Sequence, residues 1–553
     1  MAFSVSVGVS DFAAIRNAGD YYVDKSELIY DLVENTHNAV TLFTRPRRFG
    51  KTLTMSMFEN FFNIEKNSHD LFEGLNISRH VDFCNKWMNK FPVIFLSFKD
   101  VEGIDFDGAY KMLKTKLSEL SISMNKTIQK DLISEPDFET YKKLCMKTGS
   151  IDDIKNSLKF LMRMLYTIYH QKIILLLDEY DVPLSRASEC NNEYYDNMLD
   201  VIKGIMSTAL KDNEYLQFAV ITGCLKIAKE SVFTGTNNFA SYSVLDDFFS
   251  NYFGFSDNEV LEMLKVAEHE DKFNTIKEWY NGYIFGTSCV YGPWDVINYL
   301  SDLKEKPNSK PQNYWKNTSH NGILLSFVKR TDFSVSSKFE TLLNGGTITA
   351  RITDQLTYDE LHASEDNLWS VLLMTGYVSK ATDEDTTDAD YVNLKIPNRE
   401  ISSIFEDTVV KLFEETIDNS KQKALINAFW ADDDAQVSNL LSDLLWNTIS
   451  YNDYHEDYYH AFLAGIFVGL GYSVDSNKEH GLGRPDILLL DQKNRRALII
   501  EAKNTKKEEE LESLSDTALS QIKEKKYGEN LYGYKEVHKY GIAFYQKQAL
   551  AKH

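Results

Sequence analysis

The sequence predicts an α/β protein that begins with a three-layer parallel sheet, continues through a helical middle region and ends with a smaller α/β unit. Continuous apolar runs at residues 173–177 and 216–222 are typical of strands that are covered on both faces. These runs alternate with long helical segments, which is the pattern of a parallel sheet between two layers of helices. A helix and short strands that follow Tyr451 indicate a separate C-terminal unit.

The elements of the N-terminal part justify the predicted parallel sheet. Its strands are predicted at residues 39–44, 91–98, 173–177 and 216–222. Helices are predicted from about residue 51 to residue 62 and over most of residues 110–170. The first strand and the first of these helices are joined by a short loop, and this strand–loop–helix arrangement is the one in which phosphate-binding loops occur.

The remaining elements indicate two further regions. Residues 285–400 are irregular and helix-rich with loops near 304–313 and 382–391, and residues 400–450 are predicted to be helical. The C-terminal unit is predicted to have a helix at about 457–470 and strands at 487–490, 497–501 and 540–544. We therefore expect three domains, at residues 1–285, 286–440 and 441–553.

Composition narrows the classes of protein to which the chain can belong. A length of 553 residues, 43% hydrophobic and 13% aromatic, fits a globular protein of two to four domains. A net charge of −22 argues against a protein coated in nucleic acid, although it leaves room for a local basic groove. Five scattered cysteines without a CxxC pair fit a reducing compartment and argue against a zinc site. The longest apolar run, residues 461–470, is too short to cross a bilayer, so we expect a cytoplasmic protein without a membrane partner.

A phosphate-loop motif lies between the first predicted strand and the first predicted helix. Its sequence is Arg45-Pro46-Arg47-Arg48-Phe49-Gly50-Lys51-Thr52. Backbone N–H groups at a helix start favour phosphate, and Lys51 is expected to reach the β- and γ-phosphates of a nucleotide. The Thr52 hydroxyl group is expected to bind Mg²⁺. Arg45 replaces the first glycine of the usual GxxxxGK[ST] pattern, which weakens the motif taken alone.

An acidic strand end supports the nucleotide interpretation. Asp178 and Glu179 end the apolar run at 173–177. Asp178 is expected to hold Mg²⁺ through water, and Glu179 to polarise the attacking water. Together with the loop, they predict the fold of a P-loop NTPase that binds ATP. Thr222, at the end of a later strand, either senses the γ-phosphate or is a plain strand-end residue.

Arginines within the loop admit two interpretations. Arg47 and Arg48 either neutralise the charge of a triphosphate or form salt bridges to nearby acids. We favour the first interpretation, because two neighbouring arginines without a bound anion repel each other.

A second candidate site lies near the C-terminus, on a predicted hairpin. Asp486 opens one strand, and Glu501 and Lys503 close the next, where alternate side chains share a face. Two carboxylates suit Mg²⁺ or Mn²⁺, and a lysine beside them can activate water or stabilise a phosphorane-like transition state. The alternative is a surface hairpin with an ordinary ion pair.

Three further residues flank this predicted site. Glu479 is a possible additional metal ligand, and Gln521, on the following helix, is expected to align the lysine or a phosphate. His460, on the preceding helix, contacts the site or is an ordinary helix histidine.

These motifs resemble two known families. The loop at 45–52 resembles that of the bacterial AAA-ATPase-like family, in which an arginine at the first glycine position is usual. Further stretches that resemble this family are Tyr22–Ser26, Leu177–Asp181, Ile221–Gly223, Trp279–Tyr283 and Tyr314–Ser319. Pro485-Asp486 and Glu501-Ala502-Lys503 resemble the signature of the PD-(D/E)XK nuclease superfamily, with Glu479, Gly481–Arg484 and Gln521 resembling its flanking pattern. The resemblance implies ATP binding and a restriction-endonuclease-like, metal-dependent C-terminal domain.

The predicted site residues form three overlapping sets. The nucleotide-binding set is Arg45, Arg47, Arg48, Phe49, Gly50, Lys51, Thr52, Asp178 and Thr222. The metal-binding set is Thr52, Asp178, Glu479, Asp486 and Glu501, and the catalytic set is Glu179, Asp486, Glu501, Lys503 and Gln521. We expect ATP and Mg²⁺ as cofactors, with Mn²⁺ as an alternative at the C-terminal site.

Two functions are consistent with these sites. In the first, ATP binding and hydrolysis regulate a Mg²⁺-dependent nuclease that acts on DNA or RNA, by moving the C-terminal domain or by controlling assembly into a homo-oligomer. In the second, the chain is a non-catalytic ATP-dependent switch whose C-terminal domain is a docking module, which the acidic balance favours modestly.

Overall fold

The computed structural model shows two compact units. One is formed by residues 1–319 and 349–400, and the other by residues 320–348 and 401–553. Residues 286–440, which the sequence groups into one middle region, are divided between these units. The structure describes residues 3–190, 192–226, 238–315, 335–343, 345–353, 356, 364–381, 390–405, 419–448, 459, 462–463, 466–467, 473–474, 485–528, 531 and 533–553.

A five-stranded parallel sheet forms the centre of the first unit. Its strands are β1 (Val40–Thr44), β2 (Val93–Ser97), β3 (Ile173–Asp178), β4 (Leu216–Gly223) and β5 (Phe239–Tyr242), in the order β2-β3-β4-β1-β5. All neighbouring pairs are parallel, which confirms the predicted fold class. Every residue of β1 and β3 is buried, as expected for strands that are covered on both faces.

Helices surround this sheet and continue through the rest of the first unit. They are α1 (Phe12–Ala18), α2 (Glu27–Glu34), α3 (Lys51–Phe62), α4 (His69–Phe72), α5 (Val81–Trp87), α6 (Phe106–Ser123), α7 (Glu135–Cys145), α8 (Ile151–Lys155), α9 (Ser157–Tyr169), α10 (Val182–Ser188), α11 (Asn192–Leu210), α12 (Asp257–Val266), α13 (Phe273–Tyr280) and α14 (Pro293–Glu305). A hairpin, β6 (Tyr283–Phe285) with β7 (Ser288–Val290), lies between α13 and α14. The predicted helix at 51–62 is confirmed at both ends.

The register of the sheet brings polar strand ends together. Ser97 of β2 pairs with Asp178 of β3, and Phe43 of β1 pairs with Thr222 of β4. Because carboxyl ends of parallel strands lie at one edge of a sheet, these residues share that edge with the loop after β1.

Five further described elements follow α14 before the helices and strands of the C-terminal sheet. The helix α15 (Val335–Leu343) is followed by β8 (Ile348–Arg351), and α16 (Glu365–Thr375) by β9 (Ser379–Lys380) and β10 (Tyr391–Lys395). The three strands form a sheet in the order β8-β10-β9. The predicted loop near 382–391 lies for the most part outside the described residues.

The second unit has its own five-stranded sheet. The strands are β11 (Ser473–Val474), β12 (Ile487–Asp491), β13 (Arg496–Asn504), β14 (Glu536–Tyr545) and β15 (Gln548–Lys552), paired in sequence order. Only β13 and β14 are parallel. Helices α17 (Asn419–Trp430), α18 (Asp434–Thr448) and α19 (Leu511–Glu524) accompany this sheet. The core joins residues of α17 and α18 to the strands, so the predicted C-terminal α/β unit is confirmed.

Two chain-wide features complete the description. None of the helices in the described part of the chain combines the length and apolar character needed to cross a bilayer. All five cysteines lie within the described residues, and each is a free thiol.

Candidate functional sites

The loop between β1 and α3 curls around the side chain of Lys51. Two loop residues adopt left-handed backbone conformations, Arg48 with φ 71° and Gly50 with φ 80°. Lys51 Nζ donates hydrogen bonds to the carbonyl oxygens of Arg45 and Pro46, at 2.9 and 2.8 Å. The amino-terminal end of α3 and the lysine ammonium group therefore face the same concave loop, an arrangement that favours an anion.

Asp178 lies at the centre of a hydroxyl cluster at the carboxyl edge of the first sheet. Its Oδ2 accepts hydrogen bonds from Thr52 Oγ1 at 2.9 Å and from Ser97 Oγ at 3.3 Å, and its Oδ1 accepts one from Thr222 Oγ1 at 2.6 Å. Asp178 is fully buried. Buried carboxylates need such donors, so the cluster fixes the orientation of the carboxylate beside the start of α3. Thr52 and Asp178, which the sequence assigns to one predicted Mg²⁺ site, are thus in direct contact.

Glu179 follows directly and has a strained backbone. Its φ is 53°, and its N–H group donates to Thr222 Oγ1 at 3.4 Å. Burial raises the pKa of Glu179, and the negative charge of Asp178 raises it further, while Lys51 opposes both effects. A side chain with a raised pKa beside a buried acid and a lysine is suited to handling protons.

In the second unit, β12 and β13 bring the predicted carboxylates together. Ile487 pairs with Ile500, which places Asp486 opposite Glu501 at the next position. Asp486 Oδ2 accepts a hydrogen bond of 2.8 Å from the N–H group of Ala502. Lys503 Nζ lies 3.7 Å from Glu501 Oε1, so these alternate side chains share a face as predicted.

The helix α19 supplies the fourth predicted side chain of this cluster. Gln521 Nε2 donates a hydrogen bond to Glu501 Oε1. Gly541 of β14 pairs with Glu501, and a Cβ atom at Gly541 would clash with the backbone of Ser515 and Leu519. The missing side chain therefore lets α19 pack directly on the sheet, which places Gln521 over Glu501.

Two families match this chain. Residues 6–233 match a model described as predicted AAA-ATPase, and residues 454–553 match the PD-(D/E)XK nuclease superfamily. This chain carries an AAA-ATPase-like domain and a PD-(D/E)XK nuclease superfamily domain. It is also 23% identical over 551 residues to an "Uncharacterized protein in vnfD 5'region" of Azotobacter chroococcum mcd 1, which covers 97% of this chain and 96% of the relative.

Arg45 and Arg47 of the AAA-ATPase-like loop have different environments. Arg45 is fully buried, and its Nη1 donates to the carbonyl oxygens of Thr44 and Tyr242 at 2.9 and 2.8 Å. Burial lowers the pKa of Arg45 to about 9. This geometry does not support the predicted contact between Arg45 and phosphate, because its guanidinium group holds backbone oxygens inside the protein. Arg47, in contrast, is exposed.

Aromatic residues beyond the AAA-ATPase match cover the outer side of the loop. Phe49 is 3% exposed and packs edge-on against Tyr283, with ring centroids 4.9 Å apart, and against Phe285 at 5.1 Å. Arg45 lies 5.4 Å from the ring of Phe285. Phe49 therefore anchors the loop through its ring, which is a different role from the predicted nucleotide contact. Tyr283, the last residue of the stretch Trp279–Tyr283, thus packs against the loop that follows β1.

Asp181 and Tyr180 are site residues that the sequence did not single out individually. Asp181 Oδ2 accepts hydrogen bonds from the N–H groups of Cys224 and Leu225, at 2.9 and 3.0 Å. The Tyr180 hydroxyl group donates to the Leu225 carbonyl oxygen at 2.9 Å. A Cβ atom at Gly223 would lie 2.7 Å from the Tyr180 ring, so only glycine fits there without movement. These contacts fix the turn after β4, whose Cys224 Sγ lies 3.8 Å from Lys51 Nζ.

Ser97 and Tyr527 are two further site residues that were not predicted from the sequence. Ser97 ends β2, and its place as the last residue of a buried strand is the signal that could have found it. Tyr527 is 3% exposed and hydrogen-bonds to Gln521. Burial raises the pKa of Tyr527, and the charges of Glu501 and Asp486 raise it further. The tyrosine therefore belongs to the polar cluster of the PD-(D/E)XK domain.

Some predicted residues lie outside the described residues. They are Glu479, His460 and residues 481–484. Within the part of the chain that is described, no three His, Cys, Asp or Glu side chains converge as a metal-binding group. The described metal-ligand candidates of this domain are therefore the two carboxylates Asp486 and Glu501.

Proposed function

We propose that this protein binds and hydrolyses ATP and thereby regulates a metal-dependent nuclease that cleaves nucleic-acid phosphodiesters. The observation that carries the proposal is the arrangement of Asp486, Glu501, Lys503 and Gln521 around one end of β12 and β13, on a chain that also has a phosphate loop facing Asp178. Both sites combine hard oxygen ligands with a neighbouring lysine, which suits phosphoryl chemistry.

At the ATP site, each of the described residues has a separate role. The N–H groups at the start of α3 and the Lys51 ammonium group bind the β- and γ-phosphates. Thr52 and Asp178 fit Mg²⁺, because a hydroxyl and a carboxylate oxygen 2.9 Å apart are the hard donors that this ion prefers. Thr222 keeps Asp178 oriented, and Glu179 accepts a proton from the attacking water. Bound Mg²⁺ supplies charge neutralisation at the phosphates.

Arg47 is the loop arginine that best fits phosphate neutralisation. It is exposed in the same loop, whereas Arg45 is fully buried and Arg48 is half-buried. Charge neutralisation by an arginine near a triphosphate stabilises the charge that develops during transfer.

At the nuclease site, Asp486 and Glu501 are the residues that fit Mg²⁺ or Mn²⁺. Mg²⁺ typically keeps several waters and uses one or two carboxylates together with substrate phosphates, which agrees with two described ligands. When bound, the ion polarises the scissile phosphate and lowers the pKa of a water ligand. Lys503 stabilises the negative charge that develops on the phosphate, and Gln521 keeps Glu501 in place.

Charge distribution is compatible with a nucleic-acid substrate for the C-terminal domain. Residues 454–553 contain 15 Lys and Arg and 15 Asp and Glu, whereas the whole chain has a net charge of −22. This domain therefore repels a phosphate backbone less than the rest of the protein does. The phosphodiester is common to DNA and RNA, so the test includes both. Free thiols and a need for ATP agree with action in the cytoplasm.

The proposal is tested on the full-length protein with labelled DNA and RNA in the presence of Mg²⁺ or Mn²⁺. We expect metal-dependent cleavage that falls at least 100-fold in Asp486→Asn and in Lys503→Ala, while ATP binding is kept. Matched controls are Asp516→Asn, an exposed acid paired with Lys552, and Lys493→Ala in the exposed turn, both of which should cleave normally.

A different outcome would favour the switch interpretation. If the protein binds ATP but cleaves neither DNA nor RNA with either metal, the nuclease proposal fails. The C-terminal domain is then a docking module under the control of the nucleotide.

A further inference from the structure

Two buried acids lie behind the phosphate loop in the first unit. Asp295, in the first turn of α14, is 4% exposed, and Glu400 is 0% exposed. Their carboxyl groups hydrogen-bond to each other, and Glu400 Oε1 accepts a 3.0 Å hydrogen bond from the Trp315 N–H group. Two buried carboxyl groups in contact cannot both be ionised without a large electrostatic cost. A buried acid pair of this kind therefore needs a positively charged group nearby to offset its negative charge.

Arg48 of the phosphate loop is that partner. Its guanidinium group lies 4.0 Å from the centre of the Trp294 ring, and its Nη1 donates to the Tyr314 carbonyl oxygen at 3.3 Å. Asp295 and Glu400 are the acids whose charge acts on this guanidinium group. Arg48 also has a left-handed backbone, with φ 71°, which an L-residue adopts only when its surroundings hold it there. The side-chain contacts of Arg48 thus hold the loop backbone in this left-handed conformation.

The charges of this cluster balance when the acid pair holds one proton. Burial raises the pKa of both Asp295 and Glu400, and for Glu400 the neighbouring Asp295 raises it further. Because two buried carboxyl groups in contact do not readily both ionise, the pair shares one proton, and its remaining negative charge offsets the positive charge of Arg48. Among the other titratable groups, Arg47 acts on Arg48, and Tyr280 and Tyr283 interact with the charges of both acids. Tyr314 and Tyr377 act in turn on these two tyrosines. Burial raises the pKa values of Tyr280, Tyr283 and Tyr314, so these tyrosines stay neutral.

We propose that the Asp295–Glu400 pair is a positioning element of the ATP site, which holds Arg48 by a single negative charge and so keeps the phosphate loop in its binding conformation. This inference rests on the proposed binding of ATP. It gives the middle of the chain a role in that site, because Asp295 and Glu400 both lie beyond residue 233, where the match to the AAA-ATPase family ends. Neither residue needs to touch the nucleotide.

The proposal predicts how amide substitutions behave. Asp295→Asn leaves Glu400 to carry the negative charge, and Glu400→Gln leaves Asp295 to carry it. Each single variant therefore retains a counter-charge for Arg48, and we expect ATP affinity to fall by less than about threefold. The double variant keeps the shape of both side chains but has no negative charge, and we expect its affinity to fall at least tenfold.

A pH profile separates this role from simple packing. Wild-type affinity should fall at alkaline pH, where Glu400 loses its proton and the pair carries two negative charges. Glu400→Gln cannot lose that proton, so its affinity should stay level at alkaline pH, above the range in which Asp295 titrates, since burial raises the pKa of Asp295 to about 7. A purely structural role would leave the two profiles parallel.

The experiment measures the affinity of the full-length protein for a fluorescent ATP analogue with Mg²⁺ between pH 6 and pH 10, with melting temperature as a check on folding. Glu278→Gln, an exposed acid paired with Arg399, is the matched control and should follow the wild type. A folded double variant that binds as tightly as the single variants overturns the proposal, as does an unchanged pH profile in Glu400→Gln. Failure of the wild type to bind the analogue would instead refute the proposed ATP site.

Discussion

The hydroxyl group of Thr222 donates a 2.6 Å hydrogen bond to Oδ1 of Asp178, which joins the ends of two neighbouring parallel strands. Thr52 binds the other carboxylate oxygen from the start of α3. The carboxylate is therefore held from two sides. One side is Thr222, for which the sequence suggested a role in sensing the γ-phosphate, and the other is Thr52 of the phosphate loop. Removing either hydroxyl group leaves a buried acceptor without one of its donors, which is costly.

Replacing Thr222 with valine tests the importance of this hydrogen bond. Valine has nearly the same shape but cannot donate to Asp178, so we expect the rate of ATP hydrolysis to fall about tenfold or more. Affinity for ATP should change less, because Thr222 does not belong to the loop that we propose binds the phosphates. Steady-state ATPase kinetics measure both effects. Thr222→Ser keeps the hydroxyl group and should stay near the wild-type rate, and an active valine variant would show that the hydrogen bond is dispensable.

Glu179 is expected to act as the base in ATP hydrolysis. Glu179→Gln keeps its size but cannot accept a proton, so kcat should fall by about 10²–10⁴-fold, the usual contribution of a general base. The dissociation constant for ATP should change by less than about threefold. Single-turnover hydrolysis and equilibrium binding measure the two quantities separately. Glu189→Gln, a partly exposed acid paired with Arg186, is the control, and equal rates for both variants would remove Glu179 from the mechanism.

Arg45 and Arg47 offer a comparison of two arginines in one loop. Arg45→Met leaves the Thr44 and Tyr242 carbonyl oxygens without their charged donor, so we expect the free energy of unfolding to fall by about 3 kcal/mol. Arg47 is exposed, and Arg47→Met should change this free energy by less than about 0.5 kcal/mol. Denaturant unfolding of both variants measures the difference. Equal stabilities would mean that the buried guanidinium group contributes nothing to the fold.

Glu400 is expected to make stability depend on pH. Its pKa in the folded protein is raised above the ordinary 4.5, so above that pH the folded state holds a proton that the unfolded state has lost. The proton on Glu400 therefore stabilises the folded state fully below pH 4.5. This stabilisation is lost as the pH rises towards the raised pKa of Glu400, by up to about 1.4 kcal/mol per pH unit. Glu400→Gln should flatten the dependence between pH 6 and pH 9 in denaturant unfolding. A slope equal to that of the wild type would show that Glu400 is already ionised.

Much of the fold could be predicted from local patterns. The strand β3 is a continuous apolar run, and β1 and β4 are rich in apolar and β-branched residues. Gly50-Lys51 marks the start of α3, so hydrophobic pattern and helix-start signals were sufficient for these elements. The strand β5 (Phe239–Tyr242) was missed because it is short and half-buried at the sheet edge and has no apolar run. Asp486, Glu501 and Lys503 could be paired because a short turn fixes the register of their hairpin.

Residues whose role depends on distant partners could not be predicted. Arg45 looks like a phosphate ligand from its position, yet its partner Tyr242 lies almost 200 residues further along the chain. Asp295 and Glu400 are isolated acids in sequence and become a pair only through folding. Such contacts leave no periodic or motif signal, because they are set by tertiary packing.

The central claim is that the nucleotide state controls nucleic-acid cleavage by the same chain. Its most direct test is the rate of DNA and RNA cleavage by the full-length protein in Mg²⁺ or Mn²⁺, with and without ATP, in the wild type and in Lys51→Ala. We predict that ATP changes the wild-type rate at least fivefold, that Lys51→Ala does not respond to ATP, and that Asp486→Asn does not cleave. Metal-dependent cleavage at the same rate with and without ATP, or no cleavage under any of these conditions, would contradict the claim.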